Sequence, residues 1–326
     1  MSNYGIDSFP TRFLQGQDAS DDRHLALKVY AGEVLAAFDD TAITLDKHQI
    51  KSVSGGMRSA QFPKTWKATA EYHQAGRELL GDDIDTSEIV VTIDGLLVSH
   101  TAIYDVDKKI AHFDVEGEFT AELGRALARV YDRNVMRAII QASRLGNDGP
   151  FPGGHLVEDS ALAADVNGRY DGKAWIEAIV AANEKLYDAD VPEEMPRYLA
   201  VDMAVFNAIK WAKDDNGQYL LIDRDFGGDR RVQARERALN VDGVTVLPTK
   251  RIPKVDESAN EGVWSKYRDD YTGVLGVMWT PMAAATILMQ DIGLETERDS
   301  RRQETFMVAK MLAGHGALRP ECAIEL

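Results

Sequence analysis

At 326 residues the chain is long enough for one large domain or two smaller ones around a sizeable core, and 44% apolar content excludes general disorder. With 37 basic against 53 acidic side chains, the net charge of −16 excludes a general phosphate-contacting face for duplex DNA. A single cysteine, Cys322, rules out an internal disulfide and fits a reducing, cytosolic origin, while the polar residues 1–22, broken by Pro10, do not resemble a signal peptide.

In chain order, residues 1–20 lack a sustained period and predict an extended arm. Ser20, Asp21 and Asp22 can cap a helix over residues 24–38, in which Leu27, Tyr30, Val34 and Phe38 form one stripe at helical spacing. Leu25, Val29 and Leu35 lie off that stripe, so the helix is apolar on more than one side. The pattern predicts packing between two surfaces, one from a neighbouring subunit; the alternative is burial against its own domain.

Residues 49–72 alternate loosely around Gly55 and Gly56 and predict a strand that bends into a loop. Residues 76–85 form a turn region, and residues 88–104, rich in Ile, Val and Leu, predict a return strand. Two such segments make a β-ribbon that is marginal alone. Residues 47–80 carry six basic side chains (Lys47, Lys51, Arg58, Lys64, Lys67, Arg77) and two acidic ones (Glu71, Glu78), a local charge of +4 on a remainder of −20. A basic ribbon on an acidic body suggests complementarity between copies; a solvated basic hairpin is the alternative. Lys64, Lys67 and the aromatic Trp66 and Tyr72 are its candidate docking residues.

Residues 119–145 contain no proline and one glycine, and Phe119, Leu123, Leu127, Tyr131, Val135 and Ile139 recur every four positions. They predict a helix about 40 Å long at 1.5 Å per residue. Acidic Asp114, Glu116 and Glu118 at its start and basic Arg137 and Arg144 at its end match the helix dipole. Residues 146–154 (GNDGPFPGG) break the chain and predict a domain boundary. Beyond them the pattern is α/β: helices over 174–187 and 203–213, the latter with Asp202 as cap, strands at 198–201 and 243–247, buried elements at 274–279 and 284–290, and a late apolar stretch at 306–312. Residues 271–290 are uncharged and long enough to span a bilayer, but Pro281 splits them into two buried elements, so no membrane span is expected.

Chemistry is sparse. No two of the seven histidines stand at metal-pair spacing, and no GxSxG elbow, P-loop or GxGxxG is present, so neither a metal nor a cofactor is expected. Asp223, Asp225, Gly227 and Asp229 mimic a calcium loop, but Ala234 stands where its glutamate belongs. Arg224, Arg230, Arg231, Arg235 and Arg237 interleave with acids, which favours a subunit-contact loop over a phosphate site, with Arg230, Arg231 and Arg235 as candidate contacts.

Five strings, Gly32–Phe38 (GEVLAAF), Ser59–Pro63 (SAQFP), Val91–Leu97 (VTIDGLL), Ile103–Asp105 (IYD) and Gly314–Glu321 (GHGALRPE), carry a resemblance to the major capsid proteins of T-seven-like short-tailed phages, the Autographiviridae. The resemblance is close over residues 25–127 and 274–321 and thin between them. It implies an α+β chain of HK97-type capsid fold: an N-terminal arm with helix (1–46), an E-loop β-ribbon (47–107), a P-domain with a long spine helix (108–149), an α/β A-domain (150–280) and a return to the P-domain (281–326). It implies a structural subunit, not an enzyme, that self-assembles into hexamers and pentamers of an icosahedral head. Scaffolding and portal proteins would be its partners, double-stranded DNA would be enclosed without sequence-specific binding, and the virion, assembled in the host cytoplasm, would be its location. An encapsulin-type nanocompartment shell and a soluble α/β enzyme are the competing readings.

Overall fold

The computed structural model describes residues 22–53, 56–65, 68, 70, 72–73, 84–110, 115–213, 217 and 239–326. In chain order the elements are α1 (Asp22–Thr41), β1 (Gln49–Ser52), β2 (Ser59–Thr65), β3 (Thr86–Thr92), β4 (Leu97–Tyr104), α2 (Asp105–Ile110), α3 (Val115–Ser143), β5 (His155–Leu156), α4 (Gly172–Asp188), β6 (Arg197–Val201), α5 (Met203–Lys210), β7 (Leu239–Val241), β8 (Val244–Pro248), β9 (Gly276–Trp279), β10 (Ala284–Asp299), β11 (Glu304–Ala317) and β12 (Ala323–Glu325). The mixed α+β class expected from the sequence is what they form.

The chain divides into two compact units. The first holds the described residues up to Ala42, Leu96–Val130 and Gln290–Leu312; the second holds Ile43–Gly95, Tyr131–Met289 and Ala313–Leu326. The expected boundary at residues 146–154 is a tight turn after α3, while the division itself falls inside α3, between Val130 and Tyr131. Local composition marks where a helix stops; where a core stops depends on what each half of that helix packs against.

In the first unit α3 follows its stripe. Leu123 and Leu127 are buried, and the stripe continues in the second unit through Tyr131, Val135 and Ile139. Phe119, expected to open it, is exposed. In the same unit β4 pairs antiparallel with β11, with Leu97↔Met311 and Tyr104↔Glu304 at the ends of the register.

The second unit is built on a six-stranded sheet of order β5-β12-β9-β6-β8-β7. β6 and β8 run parallel, which requires a crossover, and α5 lies on it. Asp202 precedes α5 but makes no side-chain cap, as its carboxylate pairs with Lys254 instead. The uncharged 271–290 stretch is β9, a turn at Pro281 and the start of β10; no helix among the described residues is long and apolar enough to cross a membrane.

The ribbon region departs from expectation in one way. The predicted single strand over 88–104 is two strands, β3 and β4, which join different sheets. The break falls at Asp94-Gly95, where a Cβ on Gly95 would stand 2.7 Å from the Trp264 ring, so glycine lets that ring lie close against the chain. The ribbon proper is therefore the β2–β3 pair, in register from Ser59↔Thr92 to Thr65↔Thr86.

Candidate functional site

The base of the ribbon is seated on its own chain. Alternate β2 residues turn inward, as strand geometry demands. Ala60 and Phe62 join Val53, Val91, Ala285, Ile287 and Leu318 in one apolar cluster. The GHGALRPE string forms the seat: a Cβ on Gly314 would stand 2.2 Å from the Thr92 carbonyl, so that residue must be glycine for β11 to approach the ribbon. Lys64 continues the inward alternation and is buried. Its ammonium lies 3.5 Å from the Glu321 carboxylate and 4.3 Å from the centre of the Phe151 ring. Lys64, expected as a docking residue, thus has partners for its charge inside the chain. Tyr72 is fully exposed. Trp66, Lys67, Arg230, Arg231, Arg235 and the calcium-like residues 223–229 lie outside the described residues.

The N-terminal helix also turns inward. Val34 and Phe38 are buried in the first unit, where Gly124 of α3 gives α1 its approach: a Cβ there would stand 2.3 Å from the Val34 carbonyl. Thr120 donates a 3.0 Å hydrogen bond to Glu33 across the same contact. Val34 and Phe38, expected as contacts to a neighbour, are thus buried within their own chain. The side chains of Leu27 and Tyr30 lie outside the described residues.

Polar chemistry concentrates within the second unit. Asp132 on α3 accepts from the Thr44 hydroxyl at 2.7 Å and from the backbone N–H groups of Ile43 and Thr44 at 3.1 Å. Burial raises its pKa above the ordinary carboxyl value, against the pull of those donors. His48 Nδ1 is 2.6 Å from the Thr44 carbonyl, which can only accept, so Nδ1 carries the proton. His48 Nε2 faces the Thr286 hydroxyl at 2.7 Å and the Tyr131 hydroxyl at 3.1 Å, and Thr286 faces His315 Nδ1 at 2.8 Å. Desolvation lowers His48 to about 4 and His315 well below the imidazole range. The His315 N–H donates to the Tyr267 hydroxyl at 2.9 Å, and Tyr267 donates to Asp94, whose pKa burial raises.

Sequence reading missed this centre because His48 and His315 are remote in the chain. Its one signal was the pair of glycines flanking His315, which mark backbone packed too closely for side chains.

Charged pairs extend the pattern. Arg137 is buried against Glu257 at 2.8 Å, with Arg133 3.3 Å from the same carboxylate. Arg144, expected to complement the helix dipole, lies just past α3 and pairs instead with Glu325 at 2.7 Å. Among the described residues no group of three or more metal-type side chains gathers. Asp132, His48, His315, Arg137 and Glu257 are bonded to neighbouring groups and buried, an arrangement that fixes strand and helix positions.

This architecture is that of a shell-building HK97-type capsid protein. The capsid of cyanophage P-SCSP1u superposes with a TM-score of 0.71 at 33% identity, covering 98% of each chain. The mature capsid of bacteriophage PhiM1 (TM-score 0.66, 17% identity) shares the fold across 87% of each chain. A virus-like particle from Pyrococcus furiosus (TM-score 0.55, 14% identity) also shares it, over 92% of this chain and 99% of that one. Residues 61–326 match the Gp10A-like major capsid protein family, and the chain belongs to it. It is 32% identical to the major capsid protein of Escherichia phage T7, over 94% of this chain and 92% of that protein. The major capsid protein of Enterobacteria phage T3 is 31% identical, over 95% and 93%.

Proposed function

We propose that copies of this chain join as hexamers and pentamers into the icosahedral head of a short-tailed phage, enclosing double-stranded DNA without reading its sequence. The observation that carries this reading is near-full-length similarity to phage major capsid proteins together with a matching fold. The net charge of −16 suits a wall that must not hold the genome against ejection. The work is structural, not catalytic; scaffolding and portal proteins take part during assembly in the host cytoplasm, and the product resides in the virion.

The domain division at 1–46, 47–107, 108–149, 150–280 and 281–326 belongs to this proposal. So does a role for the ribbon tip: Trp66, Lys67 and Tyr72 dock on an adjacent copy, and the exposure of Tyr72 supports it. Leu27 and Tyr30 on α1, and Arg230, Arg231 and Arg235, are further proposed contacts.

Sedimentation and electron microscopy of the expressed chain test the proposal. Shells or capsomers are expected, and Trp66→Ala should abolish them while leaving the subunit folded by circular dichroism. A stable monomer under all assembly conditions overturns the shell reading; normal shells from Trp66→Ala overturn only the tip's role.

A further inference from the structure

The chain passes between its two compact units five times: at Ala42/Ile43, Gly95/Leu96, Val130/Tyr131, Met289/Gln290 and Leu312/Ala313. On the second-unit side, each passage has a residue of one hydrogen-bonded network within four positions. These are Thr44, Asp94, Tyr131 with Asp132, Thr286 and His315. The links are continuous. Asp132 holds Thr44, the Thr44 carbonyl holds His48, and His48 meets Tyr131 and Thr286. Thr286 then meets His315, whose backbone reaches Asp94 through Tyr267.

We propose that His48 and His315 form a proton-operated clasp within the second unit, joining its segments that carry Thr44, Asp94, Tyr131, Thr286 and His315, closed while both rings are neutral and opened when they take up protons.

The proton count supports it. With His48 Nδ1–H committed to the Thr44 carbonyl, Nε2 must accept, and the Thr286 hydroxyl donates to it. The Thr286 oxygen in turn accepts from His315 Nδ1–H. This one-way chain uses one proton per link. A further proton on His48 Nε2 would turn the Thr286 hydroxyl hydrogen away from the 2.7 Å contact and take from it the acceptor it holds there. The surroundings offer a second charge little help. His48 faces the field of Asp46, but His315 faces His48 and Lys266, both unfavourable to a cation. Asp132 is engaged by Ile43, Thr44 and Arg251, and Asp94 by Tyr267 and Lys266. Tyr131 stays a neutral phenol, its pKa raised by burial.

The rings therefore take protons in the opened form first. An exposed imidazole titrates near 6.5, whereas His48 in place titrates at about 4. Between those values the opened form binds more protons, so opening is favoured as pH falls. The gain is up to about tenfold per pH unit for each ring, and about a hundredfold for both together.

Amide hydrogen exchange on the full chain tests this, read by mass spectrometry from pH 7 to 4.5 and corrected for intrinsic rates. Protection over residues 43–48, 284–289 and 313–317 should fall together below pH 6.5, ahead of α4. His315→Asn, which keeps a donor at the δ position but cannot titrate, should reduce the slope to at most about tenfold per unit. A pH-independent profile in the parent chain, or an unchanged slope in His315→Asn, overturns the clasp. Should that variant not fold, exchange at the imidazole C2 hydrogen reads each ring in the parent chain. His48 is expected to remain neutral down to about pH 5 and His315 to stay neutral through the ordinary imidazole range; titration of either between 6 and 7 in the folded protein overturns the proposal.

Discussion

In the first unit ion pairs stand in or near water: Lys310 with Glu295, Arg298 with Asp105, Arg129 with Glu122. In the second unit some lie inside, Arg137 with Glu257, Lys64 with Glu321, and Asp132 wrapped by backbone donors, while others such as Lys254 with Asp202 stay part-exposed. An exposed pair contributes about 0–1 kcal/mol, because water screens it and two long side chains must be held still. A buried charge is different, since removing its partner strands it in a low dielectric. The first unit can thus exchange these ionic partners at little cost to its fold. The second unit uses charge to fix its own elements.

The sharpest way to break this contrast is Glu257→Ala. It leaves the buried Arg137 guanidinium unpaired and should lower unfolding free energy by about 3–5 kcal/mol in chemical denaturation. A loss under about 1 kcal/mol would place this pair with the exposed ones. Next comes the first unit's own currency, apolar burial. Leu127→Ala, at a site 1% exposed, should cost about 2–5 kcal/mol by the same measurement. Stability matching the parent chain would mean that α3 does not organise that unit. Gly124→Ala should be smaller, about 1–3 kcal/mol, because α1 must shift to relieve the contact at Val34. Its mark is earlier hydrogen exchange in α1 with α4 unchanged, and equal loss in both helices would refute the local reading. The smallest effect belongs to the exposed pair: a double-mutant cycle on Lys310 and Glu295 should return a coupling of about 0–1 kcal/mol that vanishes in high salt. A larger, salt-resistant coupling would erase the distinction between the units.

Much of the fold was legible because local pattern decided it. The four-residue recurrence from Leu123 to Ile139, free of proline, could form only a helix, and Pro281 could only divide its apolar stretch. The split of β3 from β4 was not legible, because Ile93, Leu96 and Leu97 keep the stretch apolar and Trp264, which lies close against Gly95, is remote in sequence. Lys64 was legible only in part: period-two alternation with Ala60 and Phe62 points it inward, but its partners Glu321 and Phe151 are remote in sequence. The stripe on α1 posed the reverse difficulty: its apolar face was plain, but only the close approach permitted by Gly124 says which surface it meets. The polar centre was the least legible of all, because hydrogen-bond partners such as His48 and Thr286 are assembled by tertiary structure alone.

One consequence of the sheet order concerns time. β5 pairs with β12, so a strand begun at His155 waits for Glu325 before it has a partner among the described strands. At 5–20 residues per second on the ribosome, that wait of about 170 residues lasts roughly 10–30 s. Until then β9, too, lacks the neighbour it holds through Ile324. Each copy therefore completes this sheet only once β12 has been made and can join β5 and β9.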